Sequence, residues 1–414
     1  MKTGRLMITT AAIALAACTT GPAQAADGLR VPVGFTATLF AEGVDNARHM
    51  VVRPNGDLLL TINDGEGGVM LLRDADGDGK ADAERPKIGN WAATGILLDG
   101  DALYVAQDTK VLRYTLSADS LPTGDPVEIV AGFPQESQHG TKSIALDGKG
   151  RLYVAVGAPA NACQVEDRTP GSPGKDPCPL LETYGGVWRF DAAKTGQTPA
   201  DGTRVVTGAR NLVAITWNRD QAMLYGAGHG RDQLHELWPK LYTEKQSAEL
   251  PAEEFHAFPE GANMGWPYTY WDPQARVRRV GPEYGGDGKK TAEPGKYQDP
   301  LWAFPAHWAP NDILFYKAAQ FPALYRGGAF IAFHGSWNRM PFPQQGYRIV
   351  YLPMNGGRVT GQPINFAIST DTKPVMSPGE TQFRPNGLAV GPDGSLYISD
   401  DLKGQVWKVT YTGH

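Results

Sequence analysis

The amino-acid sequence predicts an all-β protein, and within that class a six-bladed β-propeller with long loops over one face. Glycine and proline account for 50 and 32 of the 414 residues. Together they make up about 20% of the chain, against about 12% in average proteins. Such a density of helix breakers leaves little room for long helices, and a hydrophobic content of 41% excludes a disordered chain. The second observation is a strand–turn–strand pattern that recurs six times.

Each copy of this repeat joins two short apolar segments through a turn rich in Asp, Gly, Pro or Asn. Turn centres such as Asn55-Gly56 and Asp393-Gly394 favour tight hairpins because these residues tolerate positive φ. The copies lie at residues 50–60, 96–106, 144–155, 213–225, 313–331 and 388–398. Further strands are predicted at residues 111–114, 187–190 and 406–409. Because one blade cannot bury both of its faces alone, six copies predict blades stacked around an axis.

The N-terminal segment reads as a secretory signal, which leaves residues 26–414 as one propeller domain. Lys2 and Arg5 precede an almost wholly apolar run that is too short to span a bilayer. Two cleavage sites within residues 1–25 remain open. A lipobox ending at Cys18 would leave a lipid anchor, whereas an A-x-A site ending at Ala25 would remove that cysteine. Either site predicts a periplasmic or secreted protein, with contact to a membrane only through a lipid on Cys18.

Cys163 and Cys178 are the only other cysteines of the chain. An oxidising compartment favours their pairing as a disulfide. A free thiol pair or a metal site are the alternatives, although no nearby His or Cys supports a metal. The chain has no C-x-x-C-H motif and therefore carries no c-type haem of its own. Its net charge of −5 and the lack of a basic stripe argue against a nucleic-acid partner.

Several charged residues are predicted to converge at the propeller axis. His139 precedes the inner strand that starts at Ile144, and Arg210-Asn211 precede the strand from Val213. Two further arginines, Arg339 and Arg384, lie at comparable strand ends. A histidine there can serve as a general base. Several guanidinium groups around one opening suit a polyanion with planar carboxylates.

Two segments are candidates for binding Ca²⁺. In the first, Gly230 permits a tight backbone whose carbonyl oxygens could face a hard cation. In the second, the order of carboxylates matches the start of a Ca²⁺ loop, except that Arg85 takes the place of the final Glu. The carboxylates of this second segment are those of Asp74, Asp76, Asp78 and Asp82. The alternative for it is a solvated acidic hairpin.

The longest irregular stretch, about Glu244 to Ala309, is expected to lie over the face where sites collect. Its aromatic segment Trp302–Pro310 has two interpretations. The aromatic rings could stack on a sugar or a cofactor ring, or they could simply form packed loop.

The order of these motifs resembles the soluble PQQ-dependent sugar dehydrogenases, that is, the glucose/sorbosone dehydrogenase family. The loop with His139, the pair Arg210-Asn211, the segment Gly228–Asp232 and the terminal Arg384 carry the resemblance, together with residues 261–267. It covers nearly all of the mature chain. The Asp-Gly-Asp-Gly loop and the segment from Phe333 to Arg339 are closer to the sorbosone-dehydrogenase-like branch.

The resemblance implies pyrroloquinoline quinone (PQQ) on the axis of the propeller. His139 matches the base that takes the sugar's hydroxyl proton while hydride passes to the quinone, and Arg210 matches the residue that stabilises the developing charge. Asn211, Arg339 and Arg384 are then cofactor-binding candidates, although Gln382 replaces an arginine of the glucose dehydrogenases. The resemblance also implies that the backbone carbonyls of Gly230 and Arg231 hold a Ca²⁺ ion next to the cofactor.

The implied substrate is an aldose or a sorbosone-like sugar aldehyde, with electrons passed to a separate acceptor such as a quinone or a cytochrome. Two other functions remain open at this stage. One is a metal-dependent sugar lactonase on the same architecture, and the other is a non-catalytic propeller that binds a carbohydrate or a protein.

Overall fold

The six predicted repeats form the blades of a β-propeller in a computed structural model that describes residues 24–26, 28–117 and 119–413. Each predicted hairpin is present, so the fold class derived from the sequence is confirmed. The predicted signal segment, with Cys18 and its lipobox, lies almost entirely outside the described residues. No helix in the described part of the chain is long and apolar enough to cross a membrane.

The described part of the chain begins with three strands that belong to the last two blades: β1 (Gln24–Ala26), β2 (Leu29–Val31) and β3 (Phe35–Glu42). The first blade contains β4 (Ala47–Val52), β5 (Leu58–Ile62), β6 (Gly68–Leu72) and β7 (Lys87–Ile88). The second blade contains β8 (Gly95–Asp99), β9 (Ala102–Ala106), β10 (Lys110–Thr115) and β11 (Val127–Ala131). Consecutive strands within both blades are antiparallel.

The third and fourth blades carry the longest insertions. The third blade contains β12 (Ile144–Leu146), β13 (Arg151–Val156), β14 (Gly186–Asp191) and β15 (Thr203–Thr207). The fourth blade starts with β16 (Ala214–Asn218), β17 (Met223–Gly228) and β18 (Glu253–Phe258). An insertion follows with β19 (Ala262–Asn263), which pairs in parallel with β15, and the hairpin of β20 (Thr269–Asp272) and β21 (Val277–Val280). Strand β22 (Trp302–Phe304) completes the fourth blade.

The last two blades incorporate the N-terminal strands. The fifth blade contains β23 (Pro310–Phe315), β24 (Ala329–Phe333), β25 (Arg348–Leu352) and, after the hairpin of β26 (Met354–Asn355) and β27 (Arg358–Val359), strand β28 (Ile364–Ser369). β2 pairs with β28, and β1 with β2. The sixth blade contains β29 (Pro385–Val390), β30 (Leu396–Asp400) and β31 (Gln405–Tyr411). Because β3 pairs with β31, the two ends of the chain close the ring within one sheet.

Helical segments are short. The α-helices of the described residues are α1 (Leu234–Leu237) and α2 (Glu244–Glu249), both within the fourth blade. Single 3₁₀ turns lie at Pro179–Glu182, Pro199–Asp201, Pro282–Tyr284, Ala323–Tyr325 and Pro378–Glu380. The absence of long helices from the described residues agrees with the prediction made from the glycine and proline content.

Apolar side chains from neighbouring blades pack against each other and hold the ring together. Tyr104 and Val111 of the second blade, for example, share one buried cluster with Leu152 and Val154 of the third. The first strands of adjacent blades also contact one another around the ring, and β29 contacts β4. The first strands therefore lie nearest the axis, and the loops that enter them meet at one end of it.

Candidate active site

A cavity of about 730 Å³ opens at the end of the axis where the first strands begin. Residues at or just before these strands line it, one from each blade: Arg48, Thr94, His139, Arg210, Asn311 and Arg384. The structure thus brings together three residues that the sequence placed at the axis, namely His139, Arg210 and Arg384. Further lining comes from longer loops, chiefly those that follow β13, β17 and β24.

His139 has one ring nitrogen fixed by the backbone. Its Nδ1 lies 2.6 Å from the carbonyl oxygen of Ala158. A carbonyl only accepts hydrogen bonds, so Nδ1 carries the proton and Nε2 keeps its lone pair. Burial, followed by the charge of Arg210, lowers the pKa of His139 to about 3. The imidazole is therefore neutral at pH 7 and has a free nitrogen that can accept a proton.

Arg210 is buried beside the histidine and held in place by two partners. Its Nη1 donates to the carbonyl oxygen of Gly230 at 2.8 Å, and its Nη2 donates to Oδ2 of Asp232 at 2.7 Å. Its Nε is buried without a partner among the described residues. Since Arg210 forms an ion pair with a carboxylate that is itself 6% exposed, the guanidinium stays charged and keeps a single orientation.

Asp232 is the centre of this charged network. Asn338 donates to its Oδ1, and His307 Nδ1 lies 3.7 Å from the same oxygen. Arg168 Nη2 lies 3.4 Å from Oδ2. Burial alone would raise the pKa of Asp232, but Arg210 and His307 outweigh it and hold the pKa well below its usual range. The carboxylate is therefore ionised at neutral pH.

Asn211 lies one layer behind the cavity wall and fixes another histidine. His229 donates from Nε2 to the carbonyl oxygen of Pro310 at 2.9 Å, so its Nδ1 accepts from Asn211 Nδ2 at 3.3 Å. A Cβ on Gly157 would lie 2.6 Å from His139 Cβ and 2.8 Å from Asn211 Oδ1. This close approach explains why glycine follows β13 at this position.

The two predicted carbonyl ligands for Ca²⁺ differ in their surroundings. Gly230 lines the cavity, and its carbonyl accepts the bond from Arg210. The side chain of Arg231 instead forms a buried ion pair with Glu283 at 2.5 Å. Glu253 Oε2 accepts from the Gly230 N–H at 3.2 Å, and burial raises the pKa of Glu253 to about 7.

Arg384 and Arg48 form a cationic side of the cavity. The backbone N–H of Arg384 is fixed by Asp400 at 2.9 Å, and Arg48 Nη1 lies 3.2 Å from Oδ2 of Asp401. The Nε atoms of both arginines are buried and have no partner in the described part of the chain. Two guanidinium groups thus offer unused donors to whatever occupies the cavity.

Arg339, the remaining predicted cofactor ligand, is not brought into the cavity. Its Nε donates to the carbonyl oxygen of Pro343 at 3.1 Å, and its Nη1 donates to that of Ala248. These backbone partners hold the loop after β24 against the fourth blade. The neighbouring residues Trp337 and Asn338 line the cavity instead.

The predicted disulfide between Cys163 and Cys178 is present. The loop that it closes carries Arg168 to the cavity mouth, where the guanidinium donates to Gln233 at 2.5 Å. Just before the loop, Asn161 Oδ1 accepts from the backbone N–H of Asp232 at 2.8 Å, and its Nδ2 donates to the Asp232 carbonyl at 2.9 Å. The disulfide segment is therefore part of the wall of the site.

The acidic loop lies at the other end of the propeller. One oxygen from each of Asp74, Asp76 and Asp78 lies within 4.8 Å of the others. Asp82 accepts from the backbone N–H of Ala75 at 3.3 Å, so it stays next to the group. At the twelfth position, the guanidinium of Arg85 donates to the Glu42 carbonyl.

The aromatic segment Trp302–Pro310 is mostly packed loop. Trp302, Phe304 and Trp308 pack against the core of the fourth and fifth blades. Only His307 and Ala309 reach the cavity.

Several lining residues were not singled out from the sequence. Arg48 lies just before the predicted repeat at residues 50–60 and at the start of β4, much as Arg210 and Arg384 lie just before their inner strands, so the same comparison between repeats could have found it. The others lie outside the repeated pattern, and only the fold brings them together. They are Asp108, Glu136, Arg168, Glu253, His307 and His334.

Comparison with known proteins places these features in a family. A PQQ-dependent pyranose dehydrogenase of Coprinopsis cinerea is 26% identical over 275 residues, which cover 57% of this chain and 36% of that protein. The chain spans less than half the length of the curated relatives that it matches. The resemblance to PQQ-dependent sugar dehydrogenases that the sequence motifs indicated is thereby confirmed.

Solved structures agree on the fold. A Trichoderma reesei protein of carbohydrate-active enzyme family AA12 superposes with a TM-score of 0.74 at 20% identity, covering 93% of this chain and 98% of its own. The holo form of the pyranose dehydrogenase PQQ domain from Coprinopsis cinerea gives 0.72 at 18% identity, covering 94% and 98%. The family described as TrAA12-like matches residues 29–412, and the chain therefore belongs to the TrAA12-like family.

Proposed function

We propose that this protein is a PQQ-dependent dehydrogenase that oxidises an aldose or a related sugar aldehyde such as sorbosone. The observation that carries the proposal is the convergence of a free histidine nitrogen with three arginines, one buried and two half-buried, in one cavity. His139 Nε2 is available as a base, and Arg48, Arg210 and Arg384 surround the same space. The relative from Coprinopsis cinerea, named as a PQQ-dependent pyranose dehydrogenase, supports the assignment.

The residues of the cavity fit the proposed cofactor. PQQ is a planar tricarboxylate, so it needs cationic donors that lack protein partners. Arg48 and Arg384 each offer a buried Nε of this kind, and bidentate guanidinium–carboxylate pairing is a strong and directional interaction. We therefore assign these two residues to the cofactor carboxylates, and Arg210 to the reacting oxygens of the ring.

When bound, PQQ would supply a two-electron acceptor. The protein's own contribution is proton transfer and charge stabilisation. His139 accepts the proton of the sugar hydroxyl at Nε2, while Ala158 keeps Nδ1 protonated. Arg210, locked by Asp232, stabilises negative charge that develops beside it. Both groups are already oriented, so little reorganisation is needed during the reaction.

Calcium, the acceptor and the location are further parts of this proposal. The carbonyl oxygens of Gly230 and Arg231 are the candidate ligands for a cofactor-bound Ca²⁺. We further propose that electrons pass to a separate quinone or cytochrome. The N-terminal sequence supports export to the periplasm or the medium, with a lipid anchor if Cys18 is retained.

The lactonase alternative receives less support from the cavity. Among the described residues, the group of three His, Cys or acidic side chains suited to a metal is Asp74, Asp76 and Asp78, away from the cavity. Four arginines, at positions 48, 168, 210 and 384, line the cavity, and their charges would repel a catalytic cation. A non-catalytic propeller would bind no PQQ and reduce no dye, so the test below also addresses it.

The test is a spectral titration of the purified apo-protein with PQQ and Ca²⁺, followed by dye reduction across a panel of sugars. We expect saturable PQQ binding and sugar-dependent reduction. His139→Ala should bind PQQ but lose roughly 10²- to 10⁴-fold in turnover, as expected when a general base is removed. His235→Ala is a matched control, because His235 also has its Nδ1 fixed by a carbonyl, at 2.7 Å from Tyr242, but lies outside the cavity lining.

Two results would contradict the proposal. If PQQ causes no spectral change, the cofactor assignment fails. If His139→Ala binds PQQ and keeps full turnover, the assignment of the base fails.

A further inference from the structure

One wall of the cavity is acidic and adjoins His139. Asp108 follows β9, and Glu136 lies in the loop before β12; both line the cavity. Thr94, which precedes β8 of the second blade, also lines the cavity. We call these three residues the acidic wall. It lies on the second and third blades, whereas Arg48 and Arg384 belong to the first and sixth.

The acidic wall has acceptor atoms without protein partners. Asp108 Oδ1 and Thr94 Oγ1 are buried and make no hydrogen bond to the described residues. Thr94 is 2% exposed. Buried polar atoms without partners are costly, so a native cavity that holds them is expected to receive a ligand or water there. The orientation of Glu136 is fixed, because Tyr184 donates its hydroxyl to Oε1 at 2.5 Å.

The acidic wall is packed directly against the base. A Cβ on Gly140, the residue after His139, would lie 3.1 Å from Asp108 Oδ2 and 2.6 Å from the carbonyl oxygen of Glu136. Glycine at position 140 is therefore what allows the carboxylate of Asp108 to approach the histidine loop. A ligand at His139 would therefore lie next to these carboxylates.

The charges on the wall select the type of ligand. A carboxylate of PQQ would be repelled by Asp108 and Glu136, whereas the arginine side attracts it. Positive charge is already supplied by Lys142, which is 2% exposed and donates to the Gly140 carbonyl. Burial lowers the pKa of Lys142 to about 8, and Asp108 and Glu136 oppose this shift. The wall therefore requires neutral hydrogen-bond donors rather than an anion or a further cation.

We propose that the acidic wall of Asp108, Glu136 and Thr94 binds the non-reacting hydroxyl groups of the sugar and determines which sugar is oxidised. This inference rests on the proposed function, since it places the substrate on the wall of the second and third blades, next to the arginines assigned to the cofactor carboxylates. The chemical class that fits is a neutral polyhydroxylated ring, whose hydroxyls donate to Asp108 Oδ1 and exchange hydrogen bonds with Thr94 Oγ1.

The experiment uses the PQQ-loaded enzyme and the Asp108→Ala and Asp108→Asn variants. PQQ affinity is measured by spectral titration, and KM and kcat are measured with the best sugar of the panel and with its monodeoxy analogues. We expect PQQ affinity to stay within about threefold and KM to rise roughly 10- to 100-fold, the range for loss of a hydrogen bond to a charged group. The deoxy analogue that lacks the contacting hydroxyl should be used equally well by wild type and Asp108→Ala.

Glu166→Gln is the control, because Glu166 is exposed on the disulfide loop and does not line the cavity. An unchanged KM for every sugar in Asp108→Ala would overturn the inference while leaving the proposed function intact. A loss of PQQ affinity in both variants would also overturn it, since Asp108 would then serve the cofactor. Asp108→Asn preserves the shape of the side chain and provides the measurement if Asp108→Ala does not fold. Failure of the wild type to bind PQQ would instead contradict the proposed function itself.

Discussion

The two ends of the propeller use aspartates in opposite ways. At the cavity end, Asp232 is buried and bonded to side chains from distant parts of the chain, namely Arg210 and Asn338. At the other end, Asp76 and Asp78 are exposed and accept from backbone N–H groups two residues further on, at 3.1 and 2.8 Å. The cavity therefore depends on the fold for its structure, whereas the acidic loop is built from its own local sequence. Mutations should separate the two ends clearly.

Removal of Asp232 is expected to have the largest effect. Asp232→Ala leaves the guanidinium of Arg210 buried without its partner, and breaking a buried pair from one side typically costs about 3 to 5 kcal/mol. Chemical denaturation with urea measures the free energy of unfolding. PQQ binding should weaken as well, because Arg210 and Arg168 lose the anchor that orients them.

Asp220→Ala is the control for this prediction. Asp220 forms an equally short pair with Lys317 at 2.7 Å, but the two side chains are 65% and 45% exposed. Exposed pairs contribute about 0 to 1 kcal/mol, so this variant should be close to wild type. Equal losses in the two variants would contradict the distinction between buried and exposed pairs.

The disulfide is expected to have the next largest effect. It links residues 15 positions apart, and closing a loop of that size contributes about 3 kcal/mol in the chain-entropy model. The double variant Cys163→Ser/Cys178→Ser should lose about this much stability, and PQQ affinity should fall because Arg168 is no longer held at the mouth. Thermal unfolding and spectral titration measure the two effects. Full retention of both would show that hydrogen bonds alone fix the loop.

Glu253 and Glu254 are neighbours in β18 with opposite pH behaviour. Burial raises the pKa of Glu253 to about 7 in the folded protein. The contribution of this carboxyl to the free energy of unfolding is therefore fully present below its pKa in the unfolded chain, about 4.3, and is lost as pH rises through 7. The free energy of unfolding of Glu253→Gln, measured relative to wild type, should therefore increase by roughly 2 to 3 kcal/mol from pH 5 to pH 8. Urea unfolding at both pH values measures this change.

Glu254→Gln provides the matched contrast. Burial would raise the pKa of Glu254, but Arg278 at 2.6 Å outweighs it and lowers the pKa. Its stabilisation is present above the unfolded pKa and is lost as pH falls. This variant should thus be least stable relative to wild type near neutral pH. The same sign of pH dependence in both variants would refute the assignment of these charges.

The fold could be predicted almost completely from the sequence because the hairpins are local. Centres such as Asn55-Gly56 specify their own turns, and Gly56 indeed has a φ of +93°. The Cys163–Cys178 disulfide was predicted because these are the two cysteines left after the signal segment and because export to an oxidising compartment was expected. The closing of the ring by β3 and β31, by contrast, joins the two ends of the chain and has no local signal.

The site was predictable only where it repeats with the blades. His139, Arg210 and Arg384 precede inner strands, and that position placed them at the axis. Arg339 was predicted to follow an inner strand, but it follows β24, the second strand of its blade. Backbone carbonyls hold its guanidinium outside the cavity, and no sequence pattern indicates such a partner. Asp232 acquires its importance from four side chains that converge on it, an arrangement that only tertiary structure creates.

The acidic loop should give the smallest response. One oxygen of Asp74 is buried without a partner among the described residues, and the carboxylates of Asp76 and Asp78 lie close to it. Ca²⁺ at about ten times its dissociation constant would stabilise the apo-protein by about 1.4 kcal/mol, which is a shift of about 2 to 6 °C in the midpoint of thermal unfolding. Asp76→Asn should reduce that shift.

A second Ca²⁺ site at Gly230 would also raise the midpoint of thermal unfolding. The test is therefore the difference between the variant and the wild type, and not the shift of the wild type alone. Asp101→Asn is the control, because Asp101 is an exposed turn residue outside the acidic group. If Asp101→Asn keeps the full shift and Asp76→Asn loses part of it, the acidic loop binds the ion despite Arg85 at its twelfth position. If both variants keep the full shift, any bound Ca²⁺ belongs to the cavity, and the loop is the solvated acidic hairpin that its exposed carboxylates and local hydrogen bonds also allow.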